Sequence, residues 1–525
     1  MMKRQKALML CLMLAGCMTV SAQQNITEDS IEIGETMLGH TLKARRIAFE
    51  KPIYRMSTTE DIDLMAINLL TKESNGFSSG RTTVAGYSMK DECLRWQHEM
   101  KGGVKTMPTN HGILVSSNNS VTLLANEDGS EKWKKDLIPV MVADSLDIVL
   151  GYKNASPSSS KLLALRISTG EKLWEGKVKR EVSWGWDDIH QLGNNSILVV
   201  ADDINIINLI TGDIRTIDAK TGFNDLKAAL LMGLAGAAGA IIGGGGGYYY
   251  TPMVYGPNVV NGLSSNILQT DSCYYVADRN SLRCFNNDMT EKWRFDYPTG
   301  KASTSVLLSD YNTVYMINFG YGRRNGNIKV KHSRPFIASL NALTGEPFFF
   351  NPLKMKKDII EDALVTPQEA YFLFDDGMAY QRDINDSIVN VNPWDSKQYG
   401  KLAGIVHDTI YAYREGEQMF TPIAYDGEQC PVITEKGTVY MVNRDLQQQE
   451  SFDIGQIYVP MIEADNYMLA ARLHVSMDYW LVHKLGMPIA HITIPIRDAI
   501  RIGNKIYMLT AKDLVCMEVD NLIRE

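Results

Sequence analysis

Five short segments of the chain repeat one another, and the repetition restricts the fold more than any other feature. One runs Ala164-Leu165-Arg166-Ile167-Ser168-Thr169-Gly170 and reaches Trp174 after three more residues. A second runs Ile206-Ile207-Asn208-Leu209-Ile210-Thr211-Gly212, with Thr216 at the same offset. A third runs Ser339-Leu340-Asn341-Ala342-Leu343-Thr344-Gly345, with Phe349 in the Trp place. Asp128-Gly129 with Trp133 and Asp288-Met289 with Trp293 are shorter echoes. Each unit reads as an apolar strand, a tight turn and a second strand, usually opened by an aromatic residue. A fixed period of this kind marks an array of identical supersecondary units.

The period names the unit. Trp133 and Trp174 are 41 residues apart, and Trp174 and Thr216 are 42 apart, the length of a four-stranded propeller blade. Thr216 to Trp293 is 77 residues and Trp293 to Phe349 is 56. The excesses coincide with two unusual stretches and read as insertions, at about 217–258 and 320–334. The expected fold is therefore all-β, a β-propeller of about eight four-stranded blades over residues 56–525, with seven or nine as neighbouring counts.

Near-continuous apolar runs supply the middle strands, since these pack against neighbouring blades on both faces. They include Gly112–Val115, Ile148–Leu150, Ile197–Val200, Tyr274–Val276, Val314–Ile317, Tyr371–Phe374, Val439–Val442 and Ile506–Leu509. Residues 23–55 read as a lead-in containing a short helix. A strand near Asp61–Leu70 is expected to complete the sheet that contains Lys505–Glu518, tying the chain ends together.

The consensus small-x-Asp-x-x-Thr-Gly-x-x-x-Trp resembles the blade signature of the pyrroloquinoline-quinone (PQQ)-type propeller family. The Ala164–Trp174 unit fits it except for Arg166 in the Asp place. The resemblance implies structural roles for Trp133, Thr169, Gly170, Trp174, Thr211, Gly212, Trp293, Thr344, Gly345 and Phe349. The family contains quinone-dependent dehydrogenases. It also contains propellers without a cofactor, among them the lipoprotein of the outer-membrane protein assembly machine. The dehydrogenases carry adjacent cysteines, a calcium ion and an Asp base. No two cysteines are adjacent here, and no residue can be matched to the calcium ligands or the base. Neither HExxH nor Cys-x-x-Cys-His occurs, Asp375-Asp376-Gly377 is too short for a calcium loop, and no nucleophile elbow is present. No catalytic, cofactor-binding or metal-binding residue is therefore assigned.

Residues 1–22 form a leader, with Lys3, Arg4 and Lys6 ahead of an apolar run too short to span a bilayer. It admits two readings. Val20-Ser21-Ala22 is a cleavage site for ordinary secretion, and Leu14-Ala15-Gly16-Cys17 fits a lipobox that would lipidate Cys17. Either takes the protein to the periplasm or the outer membrane of a Gram-negative cell. The net charge is -8, and three cations lie in the leader, so the remainder carries -11. That balance argues against a nucleic-acid partner. Cys273 and Cys284 flank a turn and are either bridged across two strands or two buried free thiols.

Three features point to contacts rather than chemistry. Residues 228–247 hold no charged or hydrogen-bonding side chain. The segment reads as a helix that meets a protein partner or dips into one leaflet, through Leu230, Leu231, Leu234, Ile241 and Ile242, with Tyr248 at the interface. The alternative is an insert folded back onto the propeller. Arg323 and Arg324 open a basic arm, which meets an anionic surface or is simply a solvated hairpin tip. Trp184 and Trp186, beside Asp187 and Asp188, read either as a ligand-binding or peptide-binding loop or as packing between blades. The combined expectation is an exported, non-enzymatic interaction scaffold with protein partners in the cell envelope and peripheral membrane contact. The alternative is a quinone-dependent dehydrogenase or a small-molecule binder using the central channel.

Overall fold

A computed structural model describes residues 27–519, apart from 220–247, 251–264, 382–389, 394–400, 421–432 and shorter stretches between strands. Its described residues are almost entirely strand. The one helical element among them is the single turn Asp144–Leu146. Most strands form four-stranded antiparallel units whose strands follow chain order, and two short hairpins are inserted within units. The units are the blades of a β-propeller.

Ten such units are present among the described residues: 53–101, 104–135, 138–177, 188–217, 268–296, 305–352, 362–393, 401–453, 458–492 and 498–518, the last completed by Thr41–Ala48. We number them blades 1 to 10. Eight contain the middle strands expected from the sequence. Blades 1 and 9 are the additions. Blade 1 lacks the Thr-Gly turn, and no repeat signature marks the middle strand Tyr467–Arg472 of blade 9.

Burial follows the order of strands within a blade. The first strand of blade 3, Ile138–Ala143, is nearly all buried, whereas its fourth, Lys172–Lys177, is mostly open to solvent. Among the described residues, an apolar layer lies between consecutive blades from blade 1 to blade 7 and between blades 9, 10 and 1. Leu64, Ala66 and Val84 meet Ile113, Val115 and Leu124 between blades 1 and 2. Val140, Leu150 and Ala164 meet Ile197, Val199 and Ile207 between blades 3 and 4. Met65 and Ile67 of blade 1 meet Tyr507, Leu509 and Leu514 of blade 10. The core is thus a series of interblade layers rather than one centre.

The chain ends meet, though not through the expected strand. Leu64–Lys72 belongs inside blade 1. The closing strand is Thr41–Ala48, whose Arg45–Ala48 pairs with Asp513–Cys516. Residues 27–48 form a hairpin, not a helix. Its first strand, Thr27–Thr36, also pairs with Pro488–Ile492 of blade 9 and so bridges the rims of two blades. Cross-strand ion pairs suit this exposed position: Arg46 to Asp29 at 2.6 Å and Arg45 to Glu28 at 2.7 Å.

Strand alternation gives the ring two different faces. One carries the turns joining first to second and third to fourth strands, and we call it the turn face. The other carries the second-to-third turns and the links between blades, and we call it the crossover face. Three long connections leave and re-enter the blades at the crossover face: 218–267 between blades 4 and 5, 319–335 in blade 6 and 414–437 in blade 8.

Candidate interaction face and interblade seams

The repeated aromatic and glycine belong to different blades and touch. Trp133 opens the fourth strand of blade 2, and its Nε1 donates to the Ile167 carbonyl of blade 3 at 2.7 Å. Trp174 reaches Leu209 of blade 4 at 2.7 Å, and Trp293 reaches Ala342 of blade 6 at 3.0 Å. Each accepting carbonyl lies three residues before the turn glycine. At Gly170 and Gly212, φ is +70° and +78°, and a Cβ would stand 2.7 Å and 2.5 Å from the indoles of Trp133 and Trp174. Both the backbone conformation and the close approach require glycine. Phe349 has no indole N–H, and instead packs with Phe372 and Phe374 of blade 7.

The threonines brace the same turns. Thr169, Thr211 and Thr344 accept, through Oγ1, the backbone N–H two residues on, at 3.3 Å each. In the consensus Asp place, Asn208 and Asn341 accept from the turn amides at 2.9–3.1 Å. Arg166 cannot accept. Asp147, from the neighbouring turn of blade 3, takes over by accepting from Ser168 N and Oγ at 2.7 Å and 2.6 Å.

Sequence reasoning missed Trp96, which makes the same contact from blade 1. It donates to Asn126 at 3.0 Å and lies 2.5 Å from where a Cβ on Gly129 would be. The signal was hidden because Glu92 stands in the glycine place, with φ of +53°. At its own seam, with blade 10, a polar pairing replaces the Trp–Gly contact at the edge of the apolar layer. Glu92 pairs with Arg45 at 2.5 Å and also with Lys505. Lys505 first, and then Arg45, hold its carboxyl below the usual range.

The seam between blades 4 and 5 departs in both partners. Thr216 stands in the Trp place and Met289, with φ of +62°, in the glycine place. Here Arg215 bridges instead, donating to the Asp288 and Met289 carbonyls at 3.3 Å and 3.0 Å. Without the indole an open cleft of about 840 Å³ remains, lined in part by Arg215, Gln269, Asp271, Tyr274 and Asp288. His190 of blade 4 hydrogen-bonds Gln269 of blade 5 and lies edge-on to Tyr274, with ring centroids 5.6 Å apart. The cleft opens between turns, on the turn face.

The same face holds most of the exposed apolar side chains. Seven large hydrophobic residues are more than half exposed among the described residues. Ile210, Leu343 and Met487 lie in third-to-fourth turns, and Phe348 lies just after one. Met37 and Leu38 form the tip of the N-terminal hairpin, held against blade 9 by Met37 N donating to Ile489 O at 2.9 Å. Only Tyr54, the seventh, sits near the crossover end.

The structure does not bring the expected contact residues together. Trp186 is 2% exposed in the layer between blades 3 and 4, with Nε1 donating to Tyr152 Oη at 2.9 Å. Its ring therefore has no free face for a ligand, and packing is its role. Trp184, Leu230, Leu231, Leu234, Ile241, Ile242 and Cys17 lie outside the described residues. Tyr248 begins a three-residue strand paired with Met141–Ala143, on the hub edge of blade 3. Arg323 and Arg324 end the first strand of a hairpin on the crossover face. Cys273 and Cys284 are free and buried, and burial pushes the Cys284 thiol up to about 12. Among the described residues, no cluster of three or more His, Cys, Asp or Glu stands close enough to hold a metal ion.

A family model described as "Outer membrane protein assembly factor BamB" matches residues 70–288, from within blade 1 to the last turn of blade 5. The repeats are of the PQQ type. The match spans less than half the chain, and it includes the PQQ-type units ending in Trp133, Trp174 and Thr216. No curated protein matches the chain. Among solved structures, BamB from Moraxella catarrhalis is similar at 11% identity, covering 95% of this chain and 98% of that one, with a TM-score of 0.32. A eukaryotic initiation factor is similar at 9% identity, with 86% and 98% covered and a TM-score of 0.36. The Pan2 WD40 domain of Neurospora crassa shows 10% identity, with 70% and 96% covered and a TM-score of 0.25.

Proposed function

We propose that this protein is a non-enzymatic scaffold of the cell envelope that binds a protein partner through its turn face. The observation that carries the reading is the placement of six exposed large apolar side chains on that one face. Large apolar side chains held exposed on one face can serve as the anchors of an interface. A ring of rigid sheets presents them at little ordering cost. The match to the assembly-factor family supports an envelope role. The leader supports export, by secretion or as a lipoprotein on Cys17.

The test replaces Met37, Leu38 and Met487 together with glutamate and compares chemical crosslinking in intact envelopes with that of the parent chain and a Tyr54→Glu control. Loss of the crosslinked partner from the triple variant alone is expected. Equal crosslinking by all three proteins would refute the assignment of the turn face. Mass measurement of the mature N-terminus separates an acylated Cys17 from a chain beginning at Gln23. The apolar stretch 228–247 is proposed to add a second contact, with a partner or a leaflet. Deleting it should reduce membrane fractionation, and unchanged fractionation would favour an insert folded onto the ring.

A further inference from the structure

Three asparagines are buried among the described residues, and one of them differs from the other two. Asn205 donates through Nδ2 to the Asp203 carbonyl at 3.1 Å, and its Oδ1 accepts from Thr216 Oγ1 at 2.9 Å. Asn318 accepts from Ser303 N at 2.9 Å and donates to the Arg334 carbonyl at 2.7 Å. Asn68 is 1% exposed, yet neither its Oδ1 nor its Nδ2 meets a hydrogen-bonding partner in the chain. It interrupts the apolar run Leu64–Leu70 in the second strand of blade 1. An apolar side chain would sit there at no polar cost, whereas a buried amide left unpaired is expensive. Its presence makes sense where a bound group completes it.

The neighbours of Asn68 indicate what that group is. Its register partner in the first strand of blade 1 is Arg55, so the two side chains leave the sheet on the same face, side by side. That face is turned towards blade 2. Ala66 and Val84, which share it, pack in one layer with Ile113 and Val115. Ser57 Oγ and Thr106 Oγ1 share a hydrogen bond of 2.7 Å between the first strands of blades 1 and 2, the strands nearest the hub. Arg55 is half-buried, and among the described residues its guanidinium makes no ion pair and no hydrogen bond. Asp498, on the first strand of blade 10, supports its charge without forming an ion pair with it. Lys105, next to Thr106 in the chain, is also half-buried and unpaired among the described residues. Burial first, and then the Arg55 charge, push its amine down to about 7. A buried amide and an unpaired guanidinium thus stand together at the inner edge of one seam.

We propose that Arg55 and Asn68 form a binding site for a small oxyanion, hydrogen phosphate, at the hub end of the seam between blades 1 and 2. The guanidinium offers parallel N–H donors, which match one edge of a phosphate. The amide calls for a ligand that both accepts and donates. Nδ2 donates to a phosphate oxygen, and Oδ1 accepts from the P–OH of hydrogen phosphate. Sulfate has the same shape and charge but no proton to give at neutral pH, and would leave Oδ1 facing a bare anionic oxygen. Lys105 adds positive charge close by. The site lies within a seam and uses none of the exposed apolar residues of the turn face, so it does not depend on partner binding there.

Isothermal titration of the full chain with sodium phosphate, in a buffer free of other oxyanions, tests this. Saturable binding at one site is expected, with sodium sulfate bound on the order of 100-fold more weakly, because a site built around a ligand hydroxyl rejects the analogue that lacks it. Asn68→Leu should bind phosphate roughly 10-fold more weakly and lose the preference over sulfate. Arg55→Met should show no saturable binding. Asn68→Leu removes the unpaired amide at similar volume, so without phosphate it should unfold at a midpoint no lower than that of the parent, which separates lost binding from lost fold. Absence of saturable phosphate binding by the parent, equal binding of phosphate and sulfate, or undiminished binding by either variant would overturn the proposal. The comparison of the two anions uses the parent chain alone and decides the matter even where a substitution unfolds the ring. The Met37, Leu38 and Met487 substitutions should leave phosphate binding unchanged.

Discussion

Trp174 and Gly212 show how one residue's identity is set by another 38 positions away. The indole covers the glycine so closely that no side chain fits beneath it, and its N–H ties the two blades together. Trp174→Ala is expected to destabilise by about 3–5 kcal/mol, the usual cost of deleting a large core aromatic. Gly212→Ala should also destabilise, through both the positive φ and the clash. In the Trp174→Ala background only the backbone part remains, so denaturant titration of the four proteins should give a coupling of about 1 kcal/mol or more. Equal cost of Gly212→Ala in both backgrounds would mean that the contact is immaterial. The sequence announces the two residue types through their spacing but does not say that they belong to different blades. It also conceals Trp96 behind Glu92, because a left-handed turn position occupied by glutamate looks like no repeat at all.

At the scale of the element, the departures from the repeat are coordinated. Where the indole is missing between blades 4 and 5, the glycine is missing too, and a guanidinium spans the gap. Arg215→Met should weaken that seam by about 1 kcal/mol, in line with an exposed charge-assisted bond, and should speed amide exchange in 268–296 while leaving 104–135 unchanged. Uniform exchange across both blades would argue against Arg215 as the local tie. Most four-stranded units were legible because their middle strands are apolar on both faces. The closing strand was not, because Lys43, Arg45 and Arg46 interrupt its apolar positions Leu42, Ala44 and Ile47. Those charges belong to an outer strand facing solvent and the acids of Thr27–Thr36, a context that exists only after folding.

Across the whole molecule, closure adds one polar cluster to an apolar seam and a strand pairing. Glu92 has a depressed pKa, caused first by Lys505 and then by Arg45, against an unfolded value of about 4.3. A depressed carboxylate contributes stability that is present above the unfolded value and is lost as pH falls through the folded one. Glu92→Gln should therefore lower the unfolding midpoint at neutral pH and make little difference in acid below the carboxylate range. A constant difference at every pH would assign the effect to packing. The propeller itself could be read from the period alone. The placement of Met37, Leu38, Ile210, Leu343 and Met487 on one face could not, because they are scattered along the chain and share that face only when strand direction is known.

The rim hairpin has a consequence for how the molecule is made. Thr493 N donates to the Ile33 carbonyl at 2.7 Å, across a separation of 460 residues. The earliest strands to emerge during synthesis thus have no sheet to join until nearly all the rest has been produced, and contacts of such separation form slowly. Their dense charge keeps them soluble during that wait. A nascent chain halted before residue 488 would leave both edges of this ribbon without a berth, which gives quality control a simple mark of an unfinished ring.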